Sequence, residues 1–495
     1  MFQTRRHLQF ELKRSVLFSL IAVFAVGSCD STDPVAPRVT FSLLPDAPNL
    51  FSGSSIKLET KGEDATSPPT GPFKWSSSDV SVVTVDATGV IRGVAPGNAT
   101  IRAIASDGMA EVAVTVIPGG STLKAGVLHA CGLATDGLYC WGDNAHGQLG
   151  NGTRTGAATP RKVNGGLTFL SVSPAWDFTC GITTIGAYCW GSAAAGQLGD
   201  GKAAFNTYVL SPVKVLGSES FTRLSSSGTI TDESGATCSD ATCFAHSCAL
   251  TPSGEIRCWG SGIGATPEPL IFNQRFKDVS LGYTYSCGID LGQIAYCWGG
   301  GGYRESGPLS EGSYLPPLPV AEVFQSISAS ADHTCALSVG GDIYCWGANT
   351  SGQLGAPANA ECRSRFAVTP CRAEPVKIST SSRFLAVSVG AATRERSDIA
   401  PTSHTCAITT DLNIVCWGAN GFGELGNGST QNAPAPTAVA STLKFKSVTT
   451  GFGFTCGVAV DGQGYCWGLN TRGQLGNGSM NNVSIPTVIP GLSFK

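Results

Sequence analysis

A short hairpin motif organises this chain, and it is plainest in Cys335-Ala-Leu-Ser-Val-Gly-Gly-Asp-Ile-Tyr-Cys-Trp-Gly347. Its Gly-Gly-Asp centre favours a turn between two short apolar runs. The turn places Cys335 and Cys345 opposite each other on adjacent strands, where Cβ atoms lie ~4.5–5.5 Å apart, near the separation that a disulfide requires. We therefore expect a β-hairpin closed by its own disulfide.

The same hairpin recurs seven times from about residue 120 onward, and each copy ends in Cys-Trp-Gly. Five copies continue into an arm of sequence Gly-Gln-Leu-Gly or Gly-Glu-Leu-Gly. A unit of three or four strands cannot bury both faces of its sheet alone, whereas seven units packed radially can. The sequence therefore predicts a seven-bladed β-propeller over residues 120–495. The repeated tryptophans are Trp141, Trp190, Trp259, Trp298, Trp346, Trp417 and Trp467.

These repeats resemble the regulator of chromosome condensation repeat family, whose members form seven-bladed propellers. Two departures from the pattern stand out, since the arm after Trp259 is absent and the arm after Trp298 is degenerate. The last segment, 490–495, looks like the opening strand of a repeat, and the first repeat lacks that strand. We therefore expect the C-terminal end to pair into the first blade and close the ring.

Residues 38–117 contain no cysteine and show short alternating runs separated by turn residues. This pattern is typical of a β-sandwich. The segments Trp75-Ser-Ser-Ser-Asp79 and Val85-Asp-Ala-Thr-Gly-Val-Ile-Arg-Gly-Val-Ala-Pro-Gly97 resemble the bacterial immunoglobulin-like group 2 family. That resemblance implies a stalk or spacer on a bacterial surface protein. The predicted fold class is all-β, an immunoglobulin-like β-sandwich followed by a seven-bladed β-propeller with one disulfide in each blade.

The N-terminus has the pattern of an export signal. Four basic residues precede an uncharged apolar run over 15–26, which is too short to span a bilayer at ~20 residues per helix. The run ends in Val26-Gly-Ser-Cys29, which resembles the lipobox of bacterial lipoproteins, where cleavage leaves a lipidated cysteine. The alternative is ordinary signal cleavage with a free Cys29. We predict a lipoprotein signal peptide over 1–28, a spacer over 29–37, and a lipid anchor in the bacterial cell envelope, facing the periplasm or the exterior.

The 19 cysteines are all accounted for by this organisation. Eighteen form predicted disulfides, which persist in an oxidising compartment, and Cys29 remains for lipidation. The alternative is a zinc site, but that usually pairs two Cys-x₂₋₄-Cys knuckles, and no second knuckle follows Cys238-Ser-Asp-Ala-Thr-Cys243. We therefore predict no metal. The predicted pairs are Cys131 with Cys140, Cys180 with Cys189, Cys248 with Cys258, Cys287 with Cys297, Cys335 with Cys345, Cys406 with Cys416, Cys456 with Cys466, Cys238 with Cys243, and Cys362 with Cys371.

Composition and motifs argue against catalysis and against nucleic acid binding. The chain has 14% charged residues and a formal net charge of −3, whereas phosphate backbones require a basic surface. The sequence contains no His-Glu-x-x-His, Gly-x-Ser-x-Gly or phosphate-binding loop. Four histidines share one repeated slot that holds Phe or Tyr in the other repeats, which indicates packing. We predict no catalytic residue, no cofactor and no enzymatic activity. The four are His129, His246, His333 and His404.

The connection between the first strand and the hairpin varies most among the repeats. The third repeat inserts residues 229–244 there, and the sixth inserts 391–403, which contains Arg394 and Arg396. Three other repeats place Trp176, Tyr283 or Phe452 in the same connection, which emerges on one face of the disc. Aromatic side chains in loops are typical interface anchors, although they could instead fold back over the loop bases. We predict that these five residues form a binding face.

The sequence favours a monomeric, non-enzymatic scaffold that binds an unidentified envelope or extracellular protein. Three alternatives remain open. Eukaryotic members of the repeat family act as guanine nucleotide exchange factors, although export, acidity and disulfides argue against that activity here. Exported bacterial propellers of similar repeat include enzyme inhibitors, and aromatic platforms also bind glycans.

Overall fold

The computed structural model describes residues 41–44, 49–51, 55–62, 72–94, 97–105, 108–117, 122–204, 207–217, 219–228, 245–299, 321–363, 368–390 and 402–494. Within these ranges every helix or strand assigned is a β-strand, so the all-β prediction is confirmed. No helix in the described part of the chain is long and apolar enough to cross a membrane.

The N-terminal domain has two main sheets that share one core. Strands β2-β9-β8-β5 form the first sheet and β3-β7-β6 the second, while β1 pairs with β4. Ile101 and Val114 of the first sheet and Val83 and Ile91 of the second are fully buried in one cluster. The alternation of apolar and polar residues thus produces the predicted sandwich. The strands are β1 (Phe41–Leu44), β2 (Asn49–Phe51), β3 (Ser55–Lys57), β4 (Glu59–Gly62), β5 (Lys74–Ser77), β6 (Val83–Val85), β7 (Val90–Gly93), β8 (Gly97–Ile104) and β9 (Met109–Ile117).

The rest of the chain forms seven antiparallel sheets in sequence order, which are the seven blades predicted from the repeats. The first three blades comprise β10 (Leu123–Ala125), β11 (His129–Ala134), β12 (Gly137–Gly142) and β13 (Ala157–Lys162); β14 (Phe169–Pro174), β15 (Phe178–Thr183), β16 (Gly186–Ser192) and β17 (Tyr208–Lys214); and β18 (Arg223–Ser227), β19 (His246–Leu250), β20 (Ile256–Gly260) and β21 (Gly264–Pro269). The fourth blade has three described strands, β22 (Phe276–Leu281), β23 (Tyr285–Asp290) and β24 (Ala295–Gly299).

The last three blades follow the same plan, and the fifth has an additional outer strand. They comprise β25 (Phe324–Ala329), β26 (His333–Ser338), β27 (Ile343–Ala348), β28 (Ala360–Arg363) and β29 (Val368–Lys377); β30 (Phe384–Val389), β31 (His404–Thr409), β32 (Ile414–Gly418) and β33 (Ala433–Ala438); and β34 (Phe445–Thr450), β35 (Phe454–Ala459), β36 (Gln463–Gly468) and β37 (Val483–Ser493). We call the first strand of each blade its inner strand: β10, β14, β18, β22, β25, β30 and β34.

Each blade contains the disulfide that its hairpin predicted. The two cysteines of a pair are directly opposed in the strand register, and their Cα atoms lie 4.0 or 4.1 Å apart in all seven blades. In blade order, the bonds join Cys131 to Cys140, Cys180 to Cys189, Cys248 to Cys258, Cys287 to Cys297, Cys335 to Cys345, Cys406 to Cys416, and Cys456 to Cys466.

The other predicted cysteine roles are described only in part. An eighth disulfide joins Cys362 to Cys371 across β28 and β29, as the sequence predicted. Cys29, the predicted lipidation site, and the predicted pair of Cys238 and Cys243 lie outside the described residues.

The repeated tryptophans hold neighbouring blades together. Six of the seven are fully buried, and in four the indole Nε1 donates a hydrogen bond to the Gln or Glu carbonyl in the arm of the preceding blade. The Trp190 Nε1–Gln148 O distance is 2.9 Å. The last glycine of that arm, Gly150, has a φ of +65° and lies against the same indole, where an added Cβ would be 2.6 Å from Nε1. Trp298 is only partly buried, and Phe272 packs on it at 5.3 Å between ring centroids.

The ring closes in two ways, and one of them differs from our prediction. The first blade does have an inner strand, because β10 pairs with β11, so the expectation that this strand is missing was wrong. The C-terminal end completes that strand through a single bridge between Phe494 and Ala134. The Phe494 ring is buried against Gly132 of the first blade and Gly464 of the seventh. Phe494 thereby joins the two ends of the propeller.

Candidate binding face and central channel

The inner strands of all seven blades surround a central channel with a cavity volume of about 530 Å³. Small and polar side chains dominate its lining, with serine or threonine contributed by six of the blades. An inner strand has a neighbour on one side only, so its other edge presents backbone N–H groups that need partners. In the channel, the backbone N–H groups at the free edges of seven inner strands therefore need hydrogen-bond acceptors.

A ring of six hydroxyls satisfies one N–H on each of six inner strands. We call Ser173, Ser225, Ser280, Ser328, Ser388 and Thr449 the hydroxyl ring. Each lies opposite the first hairpin cysteine of its blade. Ser173 Oγ accepts from Ser226 N (2.9 Å), Ser225 Oγ from Leu281 N (3.1 Å), Ser280 Oγ from Ala329 N (2.9 Å), Ser328 Oγ from Val389 N (3.1 Å), Ser388 Oγ from Thr450 N (3.1 Å) and Thr449 Oγ1 from Ala125 N (3.1 Å).

Sequence reasoning missed the hydroxyl ring, although a signal exists. In four of the repeats, a serine or threonine stands seven residues before the first hairpin cysteine, as Ser173 does before Cys180 and Ser280 before Cys287. The position is not apolar, so a search for core residues does not detect it. Its role depends on the neighbouring blade, which only the assembled propeller brings into contact.

The seventh position of the ring departs from the rule on both sides. Lys124 stands where the other blades have a hydroxyl, since it pairs with Cys131 in the first blade. In the other blades, the hydroxyl accepts from the N–H of the residue that follows the equivalent position in the next blade. For Lys124 that residue is Pro174 of the second blade, which directly follows Ser173 and has no N–H. The missing acceptor therefore coincides with the missing donor, and Lys124 has no part in the hydroxyl ring.

Charged groups are few in the channel, and they interact. The described lining holds Lys124, Arg223, Lys446 and Asp278. Arg223 Nε lies 4.0 Å from Asp278 Oδ1, and both side chains are largely withdrawn from solvent. Burial raises the pKa of Asp278, an effect that Arg223 opposes. Burial also lowers the pKa of Lys124, repulsion from Arg223 lowers it further, and attraction to Asp278 opposes both effects.

The structure separates the aromatic residues predicted to form a binding face. Trp176 and Tyr283 are partly exposed and line the mouth of the channel, on the two sides of the third blade. Phe452 is only 6% exposed and packs in a cluster with Trp141, Phe454 and Leu469. It is a core residue between the seventh and first blades, so its assignment to the binding face was wrong.

Two other predicted binding residues, Arg394 and Arg396, lie outside the described residues. Of the five residues predicted to form a binding face, Trp176 and Tyr283 are therefore the two that the structure places, partly exposed, at the channel mouth.

Three of the four repeated histidines join neighbouring blades. His129 Nε2 is 2.7 Å from Thr179 Oγ1, and His404 Nε2 is 2.8 Å from Thr455 Oγ1 of the next blade. Burial lowers the pKa of His129 to about 3 and that of His404 to about 4, so both are neutral at pH 7. In the fifth blade, His333 is likewise fully buried, with Nε2 2.9 Å from Thr405 Oγ1. This arrangement is structural.

The described ranges hold no group of three or more His, Cys, Asp or Glu side chains that could bind a metal ion.

The fold and the channel define a disulfide-linked seven-bladed propeller that follows an immunoglobulin-like domain. Family models identify both parts. The bacterial Ig-like domain (group 2) matches residues 40–116, and models of the regulator of chromosome condensation (RCC1) repeat match 135–182, 324–353, 340–393, 414–458, 445–474 and 461–495. The chain therefore carries RCC1 repeats on the C-terminal side of a bacterial immunoglobulin-like domain.

Solved structures share the propeller fold. Prp20p from Saccharomyces cerevisiae, described with its binding to Gsp1p and histones, is 18% identical over 75% of this chain and 88% of its own, with a TM-score of 0.59. Human WBSCR16 is 16% identical over 71% of this chain and 93% of its own, with a TM-score of 0.58. At these identities the likeness shows the fold alone. No curated protein matches this chain significantly in sequence.

Proposed function

We propose that this protein is a non-enzymatic, lipid-anchored bacterial envelope protein that binds a partner protein at the channel mouth. The observation that carries the proposal is the pair Trp176 and Tyr283, which are partly exposed on the rim of the channel, whereas Phe452 in the equivalent connection is buried. Partly exposed aromatic side chains at a concave surface are typical anchors of protein interfaces. Propeller loops of this kind are also where binding functions are usually placed.

The proposed location is supported by the disulfides and the N-terminal sequence. Eight disulfides in the described residues suit an oxidising compartment outside the cytoplasm. Cys29, at the end of the lipobox-like sequence, is the proposed site of lipidation. The immunoglobulin-like domain, with predicted limits at 38 and 117, would then act as a spacer between the anchor and the propeller.

A protein partner is also consistent with the structural neighbours. Prp20p is described as binding Gsp1p and histones, and yeast RCC1 (Prp20) has been solved bound to Kap60. Gsp1p, histones and Kap60 are partners of the yeast protein. The partner proposed for this chain is an envelope or extracellular protein.

The partner is tested by affinity capture from envelope extract with the mature protein, followed by measurement of the Kd for each captured protein. A double variant, Trp176→Ala with Tyr283→Ala, should bind its partner at least about 30-fold more weakly, since even one aromatic anchor contributes ~2 kcal/mol or more. Ile271→Ala is the matched control, because Ile271 is 92% exposed but is not part of the channel lining. Equal binding by all three forms would refute the proposed face, and retention on polysaccharide alone would favour glycan binding.

The anchor is tested separately by metabolic labelling with a radioactive fatty acid. The wild-type protein should be labelled and sediment with membranes, whereas Cys29→Ser should be unlabelled. Labelling of Cys29→Ser would show that the lipid is attached elsewhere.

A further inference from the structure

Lys124 is the starting point for an inference about the channel that does not depend on the proposed protein partner. Six blades use this position for a hydroxyl that accepts an N–H from the next blade. In the first blade that hydrogen bond is unnecessary, because the residue opposite Lys124 in the second blade is Pro174, which has no N–H to donate. A serine at 124 would have formed no ring bond, so the position has no structural role in the ring and carries an ammonium group instead.

The lining around Lys124 is rich in hydrogen-bond donors. Each hydroxyl of the ring accepts one N–H, which leaves its own hydrogen available to be donated. Ser388 is within hydrogen-bond distance of a second hydroxyl, since its Oγ is 2.8 Å from Thr450 Oγ1. Ser173 and Ser280 line the channel on other blades, together with Lys124 and Arg223. Hydroxyls and cations together are complementary to the oxygens of an anion.

The balance of charge in the channel is also positive. Three basic side chains and one carboxyl line the described part, and the carboxyl of Asp278 is already 4.0 Å from Arg223. Lys124 is partly withdrawn from solvent and makes no ion pair within 4.0 Å among the described residues, and the carboxyl of Asp278 attracts it only from beyond that distance. A cation in such a site is costly unless a counter-charge approaches it. A bound anion would supply that charge.

We propose that the central channel binds a small solute bearing a carboxylate or phosphate group, held by Lys124 Nζ and Arg223 and by hydroxyls of the ring. The cavity volume of about 530 Å³ lies within the range of ~300–1,000 Å³ that small-molecule sites occupy. The site lies on the inner strands, deeper than the Trp176 and Tyr283 rim. It is therefore separable from the protein-binding face.

The test is isothermal titration calorimetry of the full-length protein with inorganic phosphate and, separately, with succinate, in a Tris buffer of low ionic strength. At least one probe should bind with 1:1 stoichiometry and a Kd below about 10 mM. Binding of phosphate alone would indicate a phosphate-bearing solute, and binding of succinate alone a carboxylate. Binding of neither probe would overturn the proposal.

The variants locate the site. Lys124→Ser, which installs the side chain found in most other blades, should weaken binding at least tenfold, and Lys124→Arg should retain it. Lys202→Ser removes a largely exposed lysine outside the channel and should bind as the wild type does. Lys124→Met serves the same purpose if Lys124→Ser does not fold. Wild-type affinity in folded Lys124→Ser or Lys124→Met would overturn the proposal, whereas retained binding in the Trp176→Ala, Tyr283→Ala double variant would show that the channel site is independent of the face.

Discussion

Glu424 places a carboxyl where the other arms have an amide, and this substitution has a measurable energetic consequence. The equivalent residues are Gln148, Gln197, Gln353 and Gln474. Glu424 is fully buried, and its Oε2 accepts a hydrogen bond from Phe422 N at 2.8 Å, while Oε1 has no partner among the described residues. Burial raises the pKa of this carboxyl from its ordinary value of 4.5 to about 7.

The glutamine in the other arms keeps the useful bond and removes the charge. Gln474 Oε1 accepts from Arg472 N at 2.8 Å, and Gln353 Oε1 accepts from Ser351 N at 2.9 Å, in the same geometry as Glu424. Replacing Glu424 by Gln should therefore preserve the acceptor and the shape of the arm. The change isolates the cost of ionising a buried carboxyl.

The direction of the pH dependence follows from the raised pKa. Below about pH 4.5 the carboxyl is protonated in both the folded and the unfolded states, so it costs nothing. As the pH rises from 4.5 to 7, the unfolded chain ionises first and stability falls. Above pH 7 the full cost is present, up to about 3 kcal/mol for a pKa raised from 4.5 to about 7. Glu424→Gln should thus stabilise the propeller by as much as about 3 kcal/mol at pH 8 and leave it unchanged at pH 4.

The assay is urea denaturation of the oxidised protein, followed by tryptophan fluorescence, at pH 4 and pH 8. Gln474→Glu is the matched control, because it introduces the same carboxyl into the next arm and should make stability more sensitive to pH. The reasoning is refuted if Glu424→Gln and the wild type differ equally at the two pH values, since a difference that ignores pH cannot come from ionisation.

Three further predictions concern the disulfides, the hydroxyl ring and ring closure. Replacing Cys335 and Cys345 together by Ala should lower the free energy of unfolding by ~2–3 kcal/mol through the lost loop constraint, and an unchanged denaturation curve would contradict this. Ser280→Ala leaves the Ala329 N–H without its acceptor and should cost ~1–2 kcal/mol, with faster hydrogen exchange at that amide as the specific readout. Phe494→Ala should cost ~3–5 kcal/mol and increase proteolysis of the first and seventh blades, whereas an unaffected protease pattern would show that β10 alone closes the ring.

Matched variants keep these measurements specific. Ser326→Ala changes another channel serine that lies outside the hydroxyl ring, so it should leave the exchange of the Ala329 amide unchanged. Leu385→Ala truncates a side chain that is 52% exposed, and it should cost far less than the truncation of Phe494.

The repeat made much of the fold predictable. The seven hairpins, their disulfides, the propeller and the immunoglobulin-like domain all followed from motifs a few residues apart. The prediction failed where equivalent positions differ in their surroundings. Phe452 and Trp176 occupy the same connection, but the Phe452 ring lies among Trp141 and Leu469, which the sequence does not place beside it.

Local separation explains what the sequence determined by itself. Each blade cysteine pair spans 9 or 10 residues, so one turn brings the partners together and the strand register fixes their contact. The tertiary structure alone decided which hydroxyl meets which N–H. Ala125 N and Thr449 Oγ1 are 324 residues apart in the chain, and only the closed ring brings them within 3.1 Å. That Lys124 has no partner in the hydroxyl ring was likewise decided by the tertiary structure, because Pro174, the residue opposite it, belongs to the second blade.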